Sequence, residues 1–148
     1  MNPNIKLTEK LAILATLDPA SVAAGTVLTA YVPAQNFHSF VALIQTGVLG
    51  ASATIDAKLR QAIDAAGTGA KDIAGKAITQ IVKATGDNKQ AMIECRQTDL
   101  DGVNGFAFVG LSLTVGTAAS LVGAALIGGN PYSAPCTGLN QAAVVQVV

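Results

Sequence analysis

A single histidine, a serine beside it, a glycine-rich lysine segment, two closely spaced aspartates and two cysteines are the residues here whose types could do chemistry. His38 is the only histidine among 148 residues. As a general base it needs a nucleophile on one side and an orienting carboxylate on the other. Ser39 follows it directly, but neighbours on an extended strand point to opposite faces, and residues 19–55 contain no Asp or Glu. A lone imidazole also lacks the companions a metal site requires. Gly67-Thr-Gly-Ala-Lys-Asp-Ile-Ala-Gly-Lys-Ala77 invites a phosphate-loop reading, yet five residues separate Gly69 from Gly75 where that loop has four. Ala77 stands where a Ser or Thr would hold magnesium, so the segment reads as a flexible loop. Asp99 and Asp101 share a face if extended, but their Gly/Asn-rich surroundings are those of a turn, where Asp is expected without a calcium ion. Cys95, on the same face as Ile93, reads as a buried inert thiol. Cys136 lies in a Pro-flanked tail, and the two cysteines are too few and too far apart for a disulfide framework or a zinc knuckle. The expectation is a chain that is no enzyme, with no catalytic residue, no cofactor and no metal site.

The elements that position these residues repeat with period 2. Ile55, Ala57 and Leu59 alternate with Asp56, Lys58 and Arg60 within Ser52–Ala62, the pattern of a half-buried antiparallel strand. Ala77–Lys83 and Lys89–Arg96 read as the next two strands, with Thr85–Asn88 as hairpin punctuation. Ala107, Val109, Leu111, Leu113 and Val115 form a long apolar stripe; Val115–Ser120 then reads as a turn and Leu121–Ile127 as the return strand. Earlier in the chain, Leu11–Thr16 reads as a first strand, and Gly25–Tyr31 and Ser39–Gln45 as strands around a Pro33–Asn36 turn. Gly67, Gly69 and Gly75 would each cost a helix about 1 kcal/mol, so Ala66–Gly75 is expected to be a loop or short hairpin. About eight strands in a chain of this length predict an all-β fold, a two-sheet antiparallel sandwich of jelly-roll type. Its expected limits are 10–129, with an extended N-terminal arm over 1–9 and a C-terminal arm over 130–148 that ends in a Val-rich strand.

Composition narrows the function classes. Hydrophobic residues are 51% and charged residues 12%, the latter about half the usual share. Nine basic residues balance nine acidic ones, so the basic excess of a nucleic-acid binder is missing. With 4% aromatics and no Trp, platforms for base stacking are poorly supplied. All 18 charges fall within 6–18 and 56–101, leaving 19–55 and 102–148 bare. Such stretches are either buried by association or placed in a membrane. Phe106–Gly128 is long enough to span, but Ser112, Thr114, Thr117 and Ser120 interrupt it and its first half alternates, so no membrane partner is expected. Leu11–Leu17 is too short and too closely flanked by charge for a signal peptide, which predicts synthesis in the cytoplasm.

The two bare stretches are therefore expected to supply contacts to other subunits, with Phe37, His38, Phe40, Tyr132, Val144, Val145, Val147 and Val148 as interface residues. The Val-rich end would add a strand either to its own sheet or to that of a neighbour.

The succession Ala-Thr-Ile-Asp-Ala-Lys-Leu-Arg-Gln-Ala, a Gly-rich loop, Lys-Asp-Ile-Ala-Gly-Lys-Ala-Ile-Thr-Gln-Ile, a charged strand and Val-Asn-Gly-Phe-Ala-Phe-Val-Gly-Leu-Ser-Leu-Thr-Val resembles the head-associated jelly-roll proteins of tailed bacteriophages, of the capsid decoration or cement type. The likeness runs from Ser39 to Gly129 and rests on the layout of strands and loops. It implies a virion structural protein at the capsid surface that binds the major capsid protein and stabilises the head, commonly as a homotrimer or other homo-oligomer. The chain departs from the more polar, Trp-containing members of that group. A phage neck, head-completion or tail ring component is the nearest alternative. A small β-sandwich ligand-binding module is the alternative from another class.

Overall fold

Strands with one apolar and one polar face are stable when two sheets press their apolar faces together. The computed structural model describes residues 4–148; Met1, Asn2 and Pro3 of the expected N-terminal arm lie outside the described residues. Ten strands form: β1 (Leu11–Val22), β2 (Gly25–Leu28), β3 (Val32–Pro33), β4 (Phe37–Thr46), β5 (Thr54–Ala62), β6 (Lys71–Ala77), β7 (Ile81–Val82), β8 (Gln90–Arg96), β9 (Phe108–Gly116) and β10 (Ser120–Pro131). The first sheet has the order β1-β10-β4-β8 and the second β2-β9-β5-β6, with β3 beside β9 and β7 beside β5. Every pairing is antiparallel.

Counting β2 with β3 and β6 with β7 as interrupted arms leaves eight, in the orders 1-8-3-6 and 2-7-4-5. Arms 1 and 8, 2 and 7, 3 and 6, and 4 and 5 all pair, so the chain is an antiparallel ribbon wound over on itself. That winding is the jelly roll, and the expected two-sheet sandwich is the fold that forms.

The core lies between the sheets. Phe37, Ile44 and Leu126 enter it from the first sheet, and Ile55, Leu59, Leu111 and Leu113 from the second, all fully buried. Gly128 of β10 makes room for one of them, because a Cβ there would lie 2.7 Å from the Phe37 ring. Gly128→Ala is therefore expected to destabilise the fold by about 1–3 kcal/mol through overpacking, read as a drop of several degrees in the thermal midpoint.

Most strand positions follow the sequence, but the expected Ala77–Lys83 strand is reduced to Ile81–Val82 between the end of β6 and a helical turn, and three expected local pairings do not form. Thr85–Asn88 is no hairpin turn. Residues 83–86 make one helical turn, β7 belongs to the second sheet and β8 to the first. Thr46 Oγ1 donates to Gly86 O at 2.6 Å and Leu49 N to Asp87 Oδ1 at 2.9 Å, which fastens this passage between the sheets. Likewise β9 and β10 lie in opposite sheets, and so do β2 and β4, so Gly116–Ser120 and Pro33–Asn36 cross the sandwich instead of closing hairpins.

The glycine-rich segment pairs further than expected. β6 begins at Lys71 and runs beside β5, with a bulge between the Lys58 and Arg60 pairs. Gly75, at φ +73°, supplies the left-handed conformation within it. β1 likewise continues past Thr16 to Val22, absorbing Asp18-Pro19 in a register shift between Leu17 and Ala20. Proline is tolerated there because β1 is an edge strand.

Candidate interaction face

The two outer faces of the sandwich differ in chemistry. On the second sheet, β5 turns Asp56, Lys58 and Arg60 outward, opposite the inward Ile55, Ala57 and Leu59. Lys58 Nζ lies 2.8 Å and Arg60 Nε 3.1 Å from the Asp72 carboxylate of β6. Gln80 Nε2 donates to Asp56 Oδ2 at 2.8 Å, and the Thr26 and Thr114 hydroxyls share a hydrogen bond of the same length. The hydrogen bond from Lys58, ahead of the charges of Lys58 and Arg60, holds the Asp72 carboxyl below its ordinary value. Exposed pairs of this kind add little stability, but they make the face suited to water.

The first sheet presents the opposite. Its register sets Leu11, Gly129, Ser39 and Arg96 in one outward row, Ile13, Ile127, Val41 and Glu94 in the next, and Thr16, Ala125, Leu43 and Met92 in a third. Ile13, Ile127, Val41, Leu43 and Met92 thus form a continuous apolar patch across all four strands, with Met92 70% exposed and the rest half-buried. The charges on these rows, Glu94 and Arg96, stand on the edge strand β8. Among the described residues the ion pairs are Lys58–Asp72, Arg60–Asp72, Lys71–Asp101, Lys76–Asp99 and Lys83–Asp87, none of them on the first sheet. A contiguous apolar face opposite a charged one is the chemistry of a candidate interaction surface.

The structure divides the interface residues expected from sequence. Phe37 and Phe40 are corrected to core: both are buried, packed edge-on with ring centroids 6.2 Å apart. β4 is an interior strand whose Phe40, Ala42 and Ile44 point between the sheets. His38 and Tyr132 do meet, with ring centroids 3.8 Å apart, and the Tyr132 hydroxyl donates to Gln97 Oε1. They are exposed at one end of the first sheet, where Pro131 pairs with Phe37.

Val145 and Val148 are almost wholly exposed, Val147 about half and Val144 half-buried. Residues 142–148 form no strand in the single chain. Just before them the chain is tied to the β1 edge: Ile13 N donates to Asn140 Oδ1 at 2.8 Å and Gln141 N donates to Ile13 O at 2.7 Å. Past Gln141 the tail turns over the outer face, where Val144, Val147 and Val148 with Leu7, Leu11, Ile13 and Ile127 line a cleft of about 440 Å³.

Sequence reasoning missed Val41, Leu43, Met92 and Ile127. A signal for them existed in Phe40-Val-Ala-Leu-Ile44 and Leu121–Ile127, apolar runs without alternation, which put apolar side chains on both faces of the strand. The bare stretches also have a second cause, since they supply β4, β9 and β10, interior strands of the two sheets.

The other candidate groups are engaged. Asp101 accepts Lys71 Nζ at 2.6 Å together with Asn104 Nδ2, while Asp99 accepts Arg96 N at 2.8 Å and lies 3.2 Å from Lys76 Nζ. The two carboxylates thus belong to separate turns, each with an ammonium partner. Among the described residues no cluster of His, Cys, Asp and Glu could hold a metal ion. Hydrogen bonds from Thr68 to Asp64, from Lys58 to Asp72, from Lys83 to Asp87, from the Arg96 amide to Asp99 and from Lys71 to Asp101 hold these carboxyls below their ordinary value. Depressed folded-state values mean that their stabilisation is complete above about pH 4 and is lost as pH falls through the lower folded values. Thermal midpoints are expected to be level from pH 7 to 5 and to fall steadily below pH 4.

Burial pushes the Cys95 thiol up to about 11. Cys136 is buried as well, with its amide donating to Glu9 O at 3.0 Å. Both thiols are expected to resist aromatic disulfide reagents at pH 8 in the folded chain and to react at once in denaturant.

No helix among the described residues is long and apolar enough to cross a membrane; Phe106–Gly128 instead contributes β9 and most of β10. No family model matches the sequence, and no curated protein matches it. Among solved structures, the chain is similar to one from broad bean stain virus, at 12% identity and TM-score 0.45, over 90% of this chain and 91% of that one. A chain of Triatoma virus aligns at 10% identity and TM-score 0.48, over 91% of this chain and 73% of that one. The SPBc2 prophage-derived protein YomS aligns at 11% identity and TM-score 0.44, over 84% of this chain and 99% of that one.

Proposed function

We propose that this chain is a non-enzymatic structural subunit of a virion, a decoration or cement protein that binds the major capsid protein of a phage head and stabilises the shell. The observation that carries the reading is the apolar outer face of the first sheet, set opposite an ionic second sheet. A protein with one water-suited face and one apolar face fits a position on a shell, where the first meets solvent and the second meets neighbouring subunits. A specific interface requires roughly 800 Å² per partner, and the four-stranded outer face together with the tail is the surface the chain offers for it. The exposed His38–Tyr132 pair and the valines of the tail lie at the margins of that face and extend it.

The test is quantitative gel densitometry of purified particles that carry the chain. A copy number comparable with that of the major shell subunit supports a decoration role. A single ring's worth of copies favours a neck or tail component instead, and absence from the particle overturns both. A ligand-binding module predicts that native mass spectrometry of the chain from cell extract shows a bound small molecule, whereas the shell reading predicts the bare chain.

A further inference from the structure

We infer that the C-terminal segment Ala142–Val148 is an exchange arm, which leaves its own subunit and fills the cleft beside β1 and β10 of a second copy of this chain. The anchor of the arm is well made. Asn140 and Gln141 satisfy the free N–H and C=O of Ile13 on the β1 edge, and Gln141 Nε2 donates to Thr16 Oγ1 at 3.1 Å.

Beyond the anchor the hold on the chain's own sheet is slight. Val144 N donates back to Gln141 O at 3.0 Å, and among the described residues no further backbone hydrogen bond ties 145–148 to a strand. The terminal valines cover the cleft of about 440 Å³ without filling it, leaving Val145 95% and Val148 98% exposed.

The occupant is argued from chemistry on both sides. The cleft floor, Leu11, Ile13 and Ile127, is aliphatic, and the segment already lying over it is an uncharged run of valines. A second copy offers the identical segment, so a traded arm keeps every side-chain contact that the closed form makes. It also places Val145, which is 95% exposed in the closed form, between two subunits, where burial is favourable. Ala142 and Ala143, in the turn after the anchor, are small enough to swing the arm outward. The inference deepens the shell-subunit reading and rests on it, since it names how copies of the chain join.

The test uses the full chain carrying Ile127→Cys and Val147→Cys, oxidised at tens of micromolar and run on a non-reducing gel, with light scattering of the unmodified chain alongside. Exchange predicts disulfide-linked dimers and higher species. A chain that closes only on itself overturns the exchange, and if light scattering still shows oligomers the shell reading survives that result. An unmodified chain that stays monomeric at every concentration counts against both. As a second variant, Val145→Asp lies on a tail position that is 95% exposed in the closed form and outside the cleft lining, and leaves the core intact. It is expected to keep the thermal midpoint of the parent chain while weakening self-association at least tenfold, and unchanged association would overturn the arm.

Discussion

Leu43→Asp is expected to abolish association of the chain while leaving it folded. Leu43 points outward from the middle of the first sheet, between Ala125 and Met92. In the free subunit a carboxylate there reaches water and costs the fold little. In a covered interface it would be buried without a partner, a penalty of several kcal/mol, and each 1.4 kcal/mol is tenfold in affinity. A loss of at least about 100-fold in association is the expected outcome. Val103→Asp is the matching control, because Val103 is 99% exposed in the loop before β9; a carboxylate there should change neither folding nor association.

Phe37→Ala is expected to act on the other quantity. Phe37 is fully buried, with its ring against Gly128 and edge-on to Phe40. Truncation removes the ring from a site where Gly128 offers no side chain to refill the space. The expected cost is about 3–5 kcal/mol, a large part of the 5–15 kcal/mol that holds a typical domain. Denaturant unfolding should show a lowered midpoint with an unchanged slope. Comparison of the two variants separates core from surface within β4: Phe37→Ala should lower stability and Leu43→Asp should lower association. The reverse pattern would place Phe37 in the interface and Leu43 in the core.

Much of the fold was legible because period 2 is a local property. Ile55, Ala57 and Leu59 against Asp56, Lys58 and Arg60 identify a strand and its buried face from eleven residues, and the structure keeps that assignment. Pairing was less legible because it depends on winding. Thr85–Asn88 has the residues of a hairpin turn, yet this jelly roll sends all consecutive arms except β5 and β6 to opposite sheets, so the same residues serve a crossing fastened by Thr46 and Asp87. β6 was hidden by Gly75, whose left-handed conformation builds a bulge and leaves a strand that reads as a loop.

At the candidate face, residue type misled at Phe37 and Phe40, since large aromatics beside the lone histidine read as an exposed cluster although interior strand position buries them. Val41 and Leu43 were missed for the opposite reason. Within an unbroken apolar run, nothing local says which members point away from the core. Only the second sheet, with its ionic outer surface, makes the bareness of the first visible as a property of one face.

Sedimentation velocity of the full chain from low to high micromolar concentration, with Leu43→Asp run beside it, addresses the covered face most directly. The account predicts that the parent chain rises above its monomer mass of 14.8 kDa with concentration while the variant stays at that mass. A parent chain that sediments as a well-behaved monomer throughout, indistinguishable from Leu43→Asp, would contradict it.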